Sequence, residues 1–296
     1  MNIFISKKQL AAYICIAALV LALSVGAAYW RSAYVARVPI LMYHHISDSG
    51  EPGSTIPPET FESQIKALAD AGYTAISFEE LHDHVTAGTP LPELPIMITF
   101  DDGYMSVYDI AFPILKKYNM KATAFIIGIF HGQSIYKGMK DLRITPHFGD
   151  AEAREMASSG VISIQSHSYD MHQFIPYERS APREGILRRD DESMDEYIEA
   201  FVTDFTLAAD QIENITGERP FVYSYPFGRS TRLSERLLKE MGVTVTLTTK
   251  AKINTVIKGA PWSLYKLGRI NVPADMTAEQ LLEAIGYQRS TITIIE

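Results

Sequence analysis

Short apolar runs alternate with segments of helical periodicity along most of the chain. Eight runs are rich in β-branched or aromatic residues and bounded by turn residues, which predicts strands. The predicted strands are residues 39–43, 73–77, 95–100, 122–127, 161–166, 221–225, 243–247 and 266–272. The predicted helices are residues 61–71, a helix opening at the Ser77–Glu80 capping box, and residues 107–115, 150–159, 191–216, 231–241 and 277–285. Because repeated βα units build a parallel sheet, the pattern predicts an α/β fold, a distorted barrel of seven or eight parallel strands.

The first apolar segment, residues 10–30, is different in kind, because it runs without a charge and follows Lys7 and Lys8. It is long enough to cross about 30 Å of hydrocarbon. We therefore predict that residues 1–31 are an N-terminal transmembrane helix, kept as an anchor or uncleaved signal, with the rest of the chain outside the cytoplasm. The alternative is a signal peptide cleaved near residues 25–27, which would give a secreted protein.

The composition limits the possible domain organisation and the classes of binding partner. The chain has 296 residues, 47% of them hydrophobic and 21% charged, so it can bury one large core. We expect residues 32–37 to be a tether and residues 38–296 to form a single catalytic domain.

The formal charge of -8 argues against nucleic acid as a partner. Protein partners stay undefined. Cys15 is the only cysteine, so no intrachain disulfide can form.

Paired carboxylates and paired imidazoles follow two of the predicted strands. Asp101 and Asp102 come after one strand, and His167 and His172 follow another. Taken alone, an Asp-Asp-Gly sequence is a common turn and a histidine pair is common at surfaces. Both motifs, however, lie at the carboxyl ends of strands, where α/β folds place their chemistry. Two imidazoles with one carboxylate suit zinc or another first-row divalent ion, and such a site can activate water for hydrolysis.

Two further strand ends carry residues of special chemistry. His44 follows the strand at 39–43, and residues 225–228 (Tyr-Pro-Phe-Gly) follow the strand at 221–225. If the strands are parallel, all four strand ends meet on one face. Turn chemistry alone explains four such coincidences poorly, which favours a functional site there.

In these motifs the sequence resembles the polysaccharide deacetylase family, also called the NodB-homology domain or carbohydrate esterase family 4, over about residues 38–290. The resemblance lies in residues 99–103 (Thr-Phe-Asp-Asp-Gly), in His167-Ser168 with the later His172, and in residues 225–228. It implies that a metal is held by Asp102, His167 and His172. It further implies that Asp101 is the catalytic base.

The spacing of the histidines is similar to that in one subgroup, which deacetylates poly-β-1,6-N-acetylglucosamine in biofilms. His172 lies five residues after His167, whereas most family members have a four-residue step. Most members also carry their acid histidine in a C-terminal strand, and residues 291–295 contain none. The resemblance therefore implies a circularly permuted strand order in which His44 is the acid. His45 points the opposite way on an extended strand and is the weaker candidate.

The resemblance also assigns groups that surround the substrate. The backbone N–H of Tyr104 would donate to the oxyanion. Tyr225, Pro226 and Phe227 would line the substrate site, with core packing as the alternative for the two aromatic rings. The long connections at residues 130–148 and 171–190 would form the rims of the cleft. The other histidines, His82, His84, His131 and His147, have no partner at ligand spacing and are expected at the surface.

One position departs from the family pattern. Many members have an arginine two residues before the motif proline, where it orients the base, but this chain has Ser224. Arg269, on a different predicted strand, could take its place, or it could have a structural role alone. The family's aspartate-tryptophan motif is not evident either.

Together these features predict a metal-dependent hydrolase that removes N-acetyl groups from an extracellular β-linked N-acetylglucosamine polymer and releases acetate. Poly-N-acetylglucosamine is the favoured substrate. The alternatives with the same chemistry are a peptidoglycan N-acetylglucosamine deacetylase and an O-acetyl xylan esterase. The alternative of another class is a catalytically inactive glycan-binding scaffold, which the departures at Ser224 and at the tryptophan motif would suit.

Overall fold

A computed structural model describes residues 7–49, 54–139, 141–173 and 183–286. The strands are β1 (Val35–Val38), β2 (Ile40–Tyr43), β3 (His45–Ile46), β4 (Thr55–Ile56), β5 (Thr74–Ala75), β6 (Pro95–Phe100), β7 (Ala122–Ile126), β8 (Ile162–Ser166), β9 (Val222–Ser224), β10 (Val245–Leu247), β11 (Asn254–Ile257) and β12 (Ile270–Asn271). The helices are α1 (Lys7–Tyr34), α2 (Pro58–Asp70), α3 (Phe78–Thr86), α4 (Phe112–Lys117), α5 (Asp150–Ser158), α6 (Met194–Thr216), α7 (Arg232–Glu240) and α8 (Ala278–Ala284). A π-helical turn, Val107–Ala111, leads into α4.

The centre of the fold is a curled parallel sheet of eight strands. Seven of them lie in the order β10-β9-β8-β7-β6-β2-β12, and β5 pairs with β6. All neighbours in this sheet run parallel. Each of the eight predicted strands contributes one of its members, so the prediction of a parallel α/β fold is confirmed. All six residues of β6 are buried, which is expected when both faces of a parallel sheet are covered.

The two ends of the sheet are joined by the segment that contains β12. Ile270 and Asn271 pair with β2. A few residues earlier, the N–H of Leu267 donates to Thr246 O at 2.8 Å, and the N–H of Thr248 donates to Leu267 O at 2.8 Å. Residues 267–271 therefore contact both edge strands and curl the sheet towards a barrel. Arg269 lies in the middle of this joining segment.

Helices cover the sheet, and several of them begin with an N-terminal capping box that can be recognised in the sequence. The Ser77 side chain accepts from the N–H of Glu80, and the Glu80 carboxylate accepts from the N–H of Ser77 at 2.8 Å, which confirms the predicted capping box. The longest helix of the domain, α6, begins with the same arrangement at Ser193 and ends at Gly217, whose φ is 82°. A left-handed residue at this position favours glycine.

Residues 32–37, expected to be a tether, instead belong to regular structure. Helix α1 continues to Tyr34, and β1 follows at once, paired antiparallel with β11 from Val35↔Ile257 to Val38↔Asn254. The ladder satisfies backbone groups that a free tether would leave to water. Residues Lys7–Ala27 are long and apolar enough to cross a membrane and are not buried in the domain. The C-terminal stretch 291–295 lies outside the described residues.

Candidate active site

The turn after β6 presents the two aspartates side by side. The N–H of Asp101 donates to Tyr43 O at 2.9 Å, so this residue still continues the sheet. Asp102 and Gly103 then adopt left-handed conformations, with φ of 71° and 84°. A Cβ at residue 103 would lie 3.1 Å from the Ile126 side chain. Both this close approach and the positive φ therefore favour glycine at this position. A left-handed Asp102 carries backbone strain of about 1–3 kcal/mol, which is typical of functional sites.

His167 follows β8 and is held in one orientation by the neighbouring strand. Its Nδ1 donates to the backbone carbonyl of Ser224 at 2.7 Å. This hydrogen bond fixes the tautomer and leaves Nε2 free to accept or to bind an ion. Nε2 lies 3.7 Å from Asp102 Oδ1 and 3.8 Å from Asp101 Oδ2. Ser224, which lacks the expected arginine side chain, thus contributes through its backbone.

Asp102, His167 and His172 form a cluster that could hold a metal ion. One potential ligand atom from each lies within 4.8 Å of the others, and all three residues are buried. The Nε2 atoms of both histidines lie 3.7 Å from Asp102 Oδ1, too far for hydrogen bonds. Asp102 Oδ1 itself is buried and has no hydrogen-bond partner in the described part of the chain. The donor set of two imidazoles and one carboxylate fits a divalent ion such as zinc.

Asp101 and Arg269 form a buried, bidentate ion pair. Arg269 Nη1 and Nη2 donate to Asp101 Oδ1 and Oδ2 at 2.6 and 2.7 Å, and the arginine is completely buried. Burial alone would raise the pKa of Asp101, but the charges of Arg269 and His167 and the hydrogen bonds from Arg269 hold it well below its usual range. Asp101 is therefore ionised and fixed in orientation. Arg269 makes the contact that orients this carboxylate.

The two adjacent histidines after β2 point to different neighbours. His44 is half-buried. Burial would raise the pKa of Asp102, but the charges of His172, His44 and His167 outweigh that effect and lower it, so His44 lies near the carboxylates. His45 Nδ1 instead shares a hydrogen bond of 2.8 Å with Ser106 Oγ. This divergence agrees with the alternation of side chains on extended backbone.

Tyr104 closes the turn that carries the aspartates. Its backbone N–H donates no hydrogen bond within the described residues, so this donor is available to a ligand. The phenol ring lies between His45 and His147, at centroid distances of 5.2 and 4.9 Å. The charge of Asp102, burial and a hydrogen bond to Asp102 raise the pKa of the Tyr104 hydroxyl, which stays protonated.

The Tyr-Pro-Phe-Gly segment contributes one aromatic ring to the surface of the site. Phe227 is 45% exposed, has a φ of 56°, and its ring centroid lies 4.3 Å from that of His172. Tyr225 is wholly buried and donates its hydroxyl to Glu235 Oε1 at 2.8 Å. Pro226 is buried as well. Tyr225 thus packs in the core, the alternative that the sequence left open for its ring. The place of Pro226 at the substrate stays a prediction.

Asp204 on α6 is a functional candidate that the motifs do not include. Its Oδ2 accepts from the N–H of Tyr169 at 2.9 Å and its Oδ1 from the N–H of Asp170 at 2.7 Å. It thereby holds the loop between the two clustered histidines. Burial raises the pKa of Asp204 to about 6, against the effect of the two N–H groups. The available signal was a carboxylate on the apolar face of an amphipathic helix, between Phe201 and Phe205.

Three histidines expected at the surface have buried side chains. The His131 side chain is 4% exposed and lies 3.0 Å from Asp150. His147 is 7% exposed and its ring packs against Tyr104 and Phe130. His84 is 5% exposed, and its Nδ1 bonds to Thr89 O at 2.7 Å. Spacing along the chain shows ligand pairs but not burial, which depends on which loops cover each residue.

Comparison with known proteins places this chain among polysaccharide deacetylases. The profile of the family named polysaccharide deacetylase matches residues 88–246. The YxkH protein of Bacillus subtilis (strain 168) is 28% identical over 250 residues, which cover 84% of this chain and 76% of that protein. The poly-beta-1,6-N-acetyl-D-glucosamine N-deacetylase of Escherichia coli (strain K12) is 24% identical over 224 residues, 70% of this chain but 33% of that enzyme. The chain thus spans about a third of the length of the E. coli relative.

Among solved structures, IcaB from Ammonifex degensii superposes with a TM-score of 0.69 at 25% sequence identity. The match covers 84% of this chain and 97% of that one. The fold of the domain is therefore shared over nearly the whole of a solved relative.

Proposed function

The chain belongs to the polysaccharide deacetylase family, and on this basis we propose that it is a metal-dependent N-deacetylase of a β-linked N-acetylglucosamine polymer outside the cytoplasm. The observation that carries the proposal is the convergence of two strand ends, those of β6 and β8. They bring Asp101, Asp102, His167 and His172 together, with Arg269 behind the first aspartate. A hydrolytic site needs a base, ligands for an ion and a way to fix both, and each is present.

Asp102, His167 and His172 would hold the ion. When bound, a divalent ion lowers the pKa of water and polarises a carbonyl oxygen. The chain prepares this position with the hydrogen bond from His167 to the Ser224 carbonyl and with the Asp204 contacts to the histidine loop. Such supporting contacts orient ligand side chains before the ion arrives.

Asp101 would accept the proton of the attacking water. It is ionised, and the two hydrogen bonds from Arg269 prevent its carboxylate from rotating. Its low pKa keeps it available as a base throughout the neutral range, at the cost of intrinsic basicity. Positioning rather than basicity is thus its main contribution.

His44 would act on the leaving group, and the N–H of Tyr104 on the developing oxyanion. His44 lies near enough to both aspartates to lower their pKa values, and imidazole is suited to give a proton to a departing amine. The N–H of Tyr104, which has no partner among the described residues, lies in the turn directly after Asp102. Removal of one oxyanion-hole donor costs about 3–4 kcal/mol in a comparable site.

The substrate proposal adds two observations to the site chemistry. Phe227 offers an exposed ring beside His172, and pyranose rings present apolar C–H faces to aromatic rings. The five-residue histidine step and the E. coli relative both favour poly-β-1,6-N-acetylglucosamine. Peptidoglycan and O-acetylated xylan use the same chemistry and remain alternatives.

Acetate release from a panel of defined glycans tests this proposal. The panel contains N-acetylated β-1,6-glucosamine oligomers, the β-1,4-linked oligomers of equal length, peptidoglycan and acetylated xylan. We expect acetate from the β-1,6 oligomers at the highest kcat/KM. A higher kcat/KM on peptidoglycan or xylan would identify that glycan as the substrate instead. Binding without acetate release from any of them would support the inactive scaffold.

Replacing Asp204 with asparagine should weaken metal binding although Asp204 is not a ligand. Asparagine presents an NH₂ group to one of the two backbone N–H groups and so loosens the histidine loop. We expect metal affinity to fall about 10- to 100-fold, measured by competition with a chromogenic chelator. Asp210→Asn, an exposed position on the same helix, is the matched control. A lower melting temperature with unchanged metal affinity would show that Asp204 stabilises the fold only.

A further inference from the structure

The end of the domain opposite the site carries an unusual surface where α1 joins. Strands β1 and β11 are antiparallel, so the first residue of β1 pairs with the last residue of β11. The N–H of Lys258 donates to Tyr34 O, the last residue of α1, at 2.9 Å. The turn Pro261–Leu264 follows immediately. This turn therefore lies beside the end of α1.

Three residues around this junction form what we call the basal surface: Arg37, Lys258 and Trp262. Trp262 is 69% exposed, the largest exposure among the large hydrophobic residues described. Neither Arg37 nor Lys258 forms an ion pair within the described residues. Both line a cavity of about 450 Å³ in which Glu93 is the only acidic lining residue. In a chain of net charge -8, this is a local concentration of unpaired positive charge beside an exposed indole.

Helix geometry sets the height of the basal surface above a bilayer. The apolar stretch ends at Ala27 and the helix at Tyr34, which places the junction roughly 10 Å beyond the hydrocarbon at 1.5 Å per residue. The headgroup layer on each side is about 5–8 Å thick. Cationic side chains and a tryptophan at this height match the chemistry of the membrane interface.

We propose that the basal surface rests on the anionic phospholipid headgroups of the membrane that α1 enters. The proposal rests on α1 spanning a membrane, as inferred above. Arg37 and Lys258 contact lipid phosphates, and the indole of Trp262 lies against the headgroups. Residues 35–44 run from the end of α1 to the site as nearly continuous strand, so the site lies at the far end of this run, up to about 30 Å from the junction. The catalytic face is thus directed away from the bilayer, towards an external polymer.

Fluorescence of the full chain tests this orientation, because Trp30 and Trp262 are its only tryptophans. The Trp30→Phe variant is reconstituted in phosphatidylcholine vesicles that contain phosphatidylglycerol, with plain or spin-labelled headgroups. We expect the spin-labelled headgroups to quench Trp262. Adding Lys258→Glu should shift the equilibrium between docked and undocked domains about fivefold towards undocked, whereas Arg236→Glu, an exposed charge on α7, should leave the quenching unchanged.

The Trp262→Phe variant reports on Trp30 in α1 and separates the possible failures. Quenching of Trp30 together with an unquenched, iodide-accessible Trp262 would overturn the docking while α1 stays in the bilayer. Quenching of neither residue would overturn docking and the membrane span together. Acetate release by the same samples reports on the catalytic proposal independently of both results, because none of the altered residues lies at the site.

Discussion

Asp101→Asn should lower kcat for acetate release by about 10²- to 10⁴-fold, the range typical of a general base. Asparagine keeps the shape of the side chain and cannot accept the proton at neutral pH. Asp101 is not in the ligand cluster of Asp102, His167 and His172, so bound metal should stay at one ion per chain. Initial rates on β-1,6 oligomers, with metal content measured on the same sample, give both quantities.

The substitution also leaves the Arg269 guanidinium buried without a counter-charge, which costs stability. The double variant Asp101→Asn/Arg269→Met removes both charges and should recover much of the lost unfolding free energy. Activity should stay absent in it. If the double variant regained activity, Asp101 would not be the base, and its role would be limited to neutralising Arg269.

Arg269→Met should have the largest effect on stability, because it leaves the Asp101 carboxylate buried and unpaired. Breaking a buried ion pair from one side costs about 3–5 kcal/mol. Arg219 is the matched control: it also contacts two carboxylates, Asp210 and Glu213, but it is 43% exposed. Arg219→Met should cost under about 1 kcal/mol. Urea unfolding of the three proteins measures the difference.

The same variant changes the pH dependence of activity in a defined direction. Arg269 lowers the pKa of Asp101, so removing it raises that pKa. Because the base must be ionised, the acidic limb of the kcat/KM profile should move to higher pH. Arg269→Lys keeps the charge but loses the two-pronged contact, and it should give a smaller shift. An unmoved acidic limb in Arg269→Met would show that Arg269 does not control the ionisation of the catalytic base.

The parts of the site that could be predicted are those set by local sequence. A buried strand followed by Asp-Asp-Gly must end in a turn, and parallel strands place their carboxyl ends together. This logic brought Asp101, Asp102, His167 and His172 to one face. The contact between Arg269 and Asp101 joins residues 168 positions apart. The sequence could suggest it but could not establish it, since it depends on how residues 267–271 close the sheet.

Tyr225 shows why neighbouring positions in a motif differ in function. Side chains alternate along β9, so Tyr223 and Tyr225 share the face covered by α6 and α7, where they pack with Phe201 and Phe205. The Ser224 carbonyl reaches His167 from the same strand end. Asp204 escaped prediction for a related reason, because its hydrogen-bond donors are backbone N–H groups that no residue type identifies.

Metal titration of chelated protein tests whether Asp102, His167 and His172 hold the ion needed for deacetylation. Chelated protein should release no acetate from β-1,6 oligomers, and activity should return in proportion to bound zinc up to one ion per chain. Asp102→Ala should neither bind the ion stoichiometrically nor regain activity. Undiminished acetate release by fully chelated protein would contradict the account.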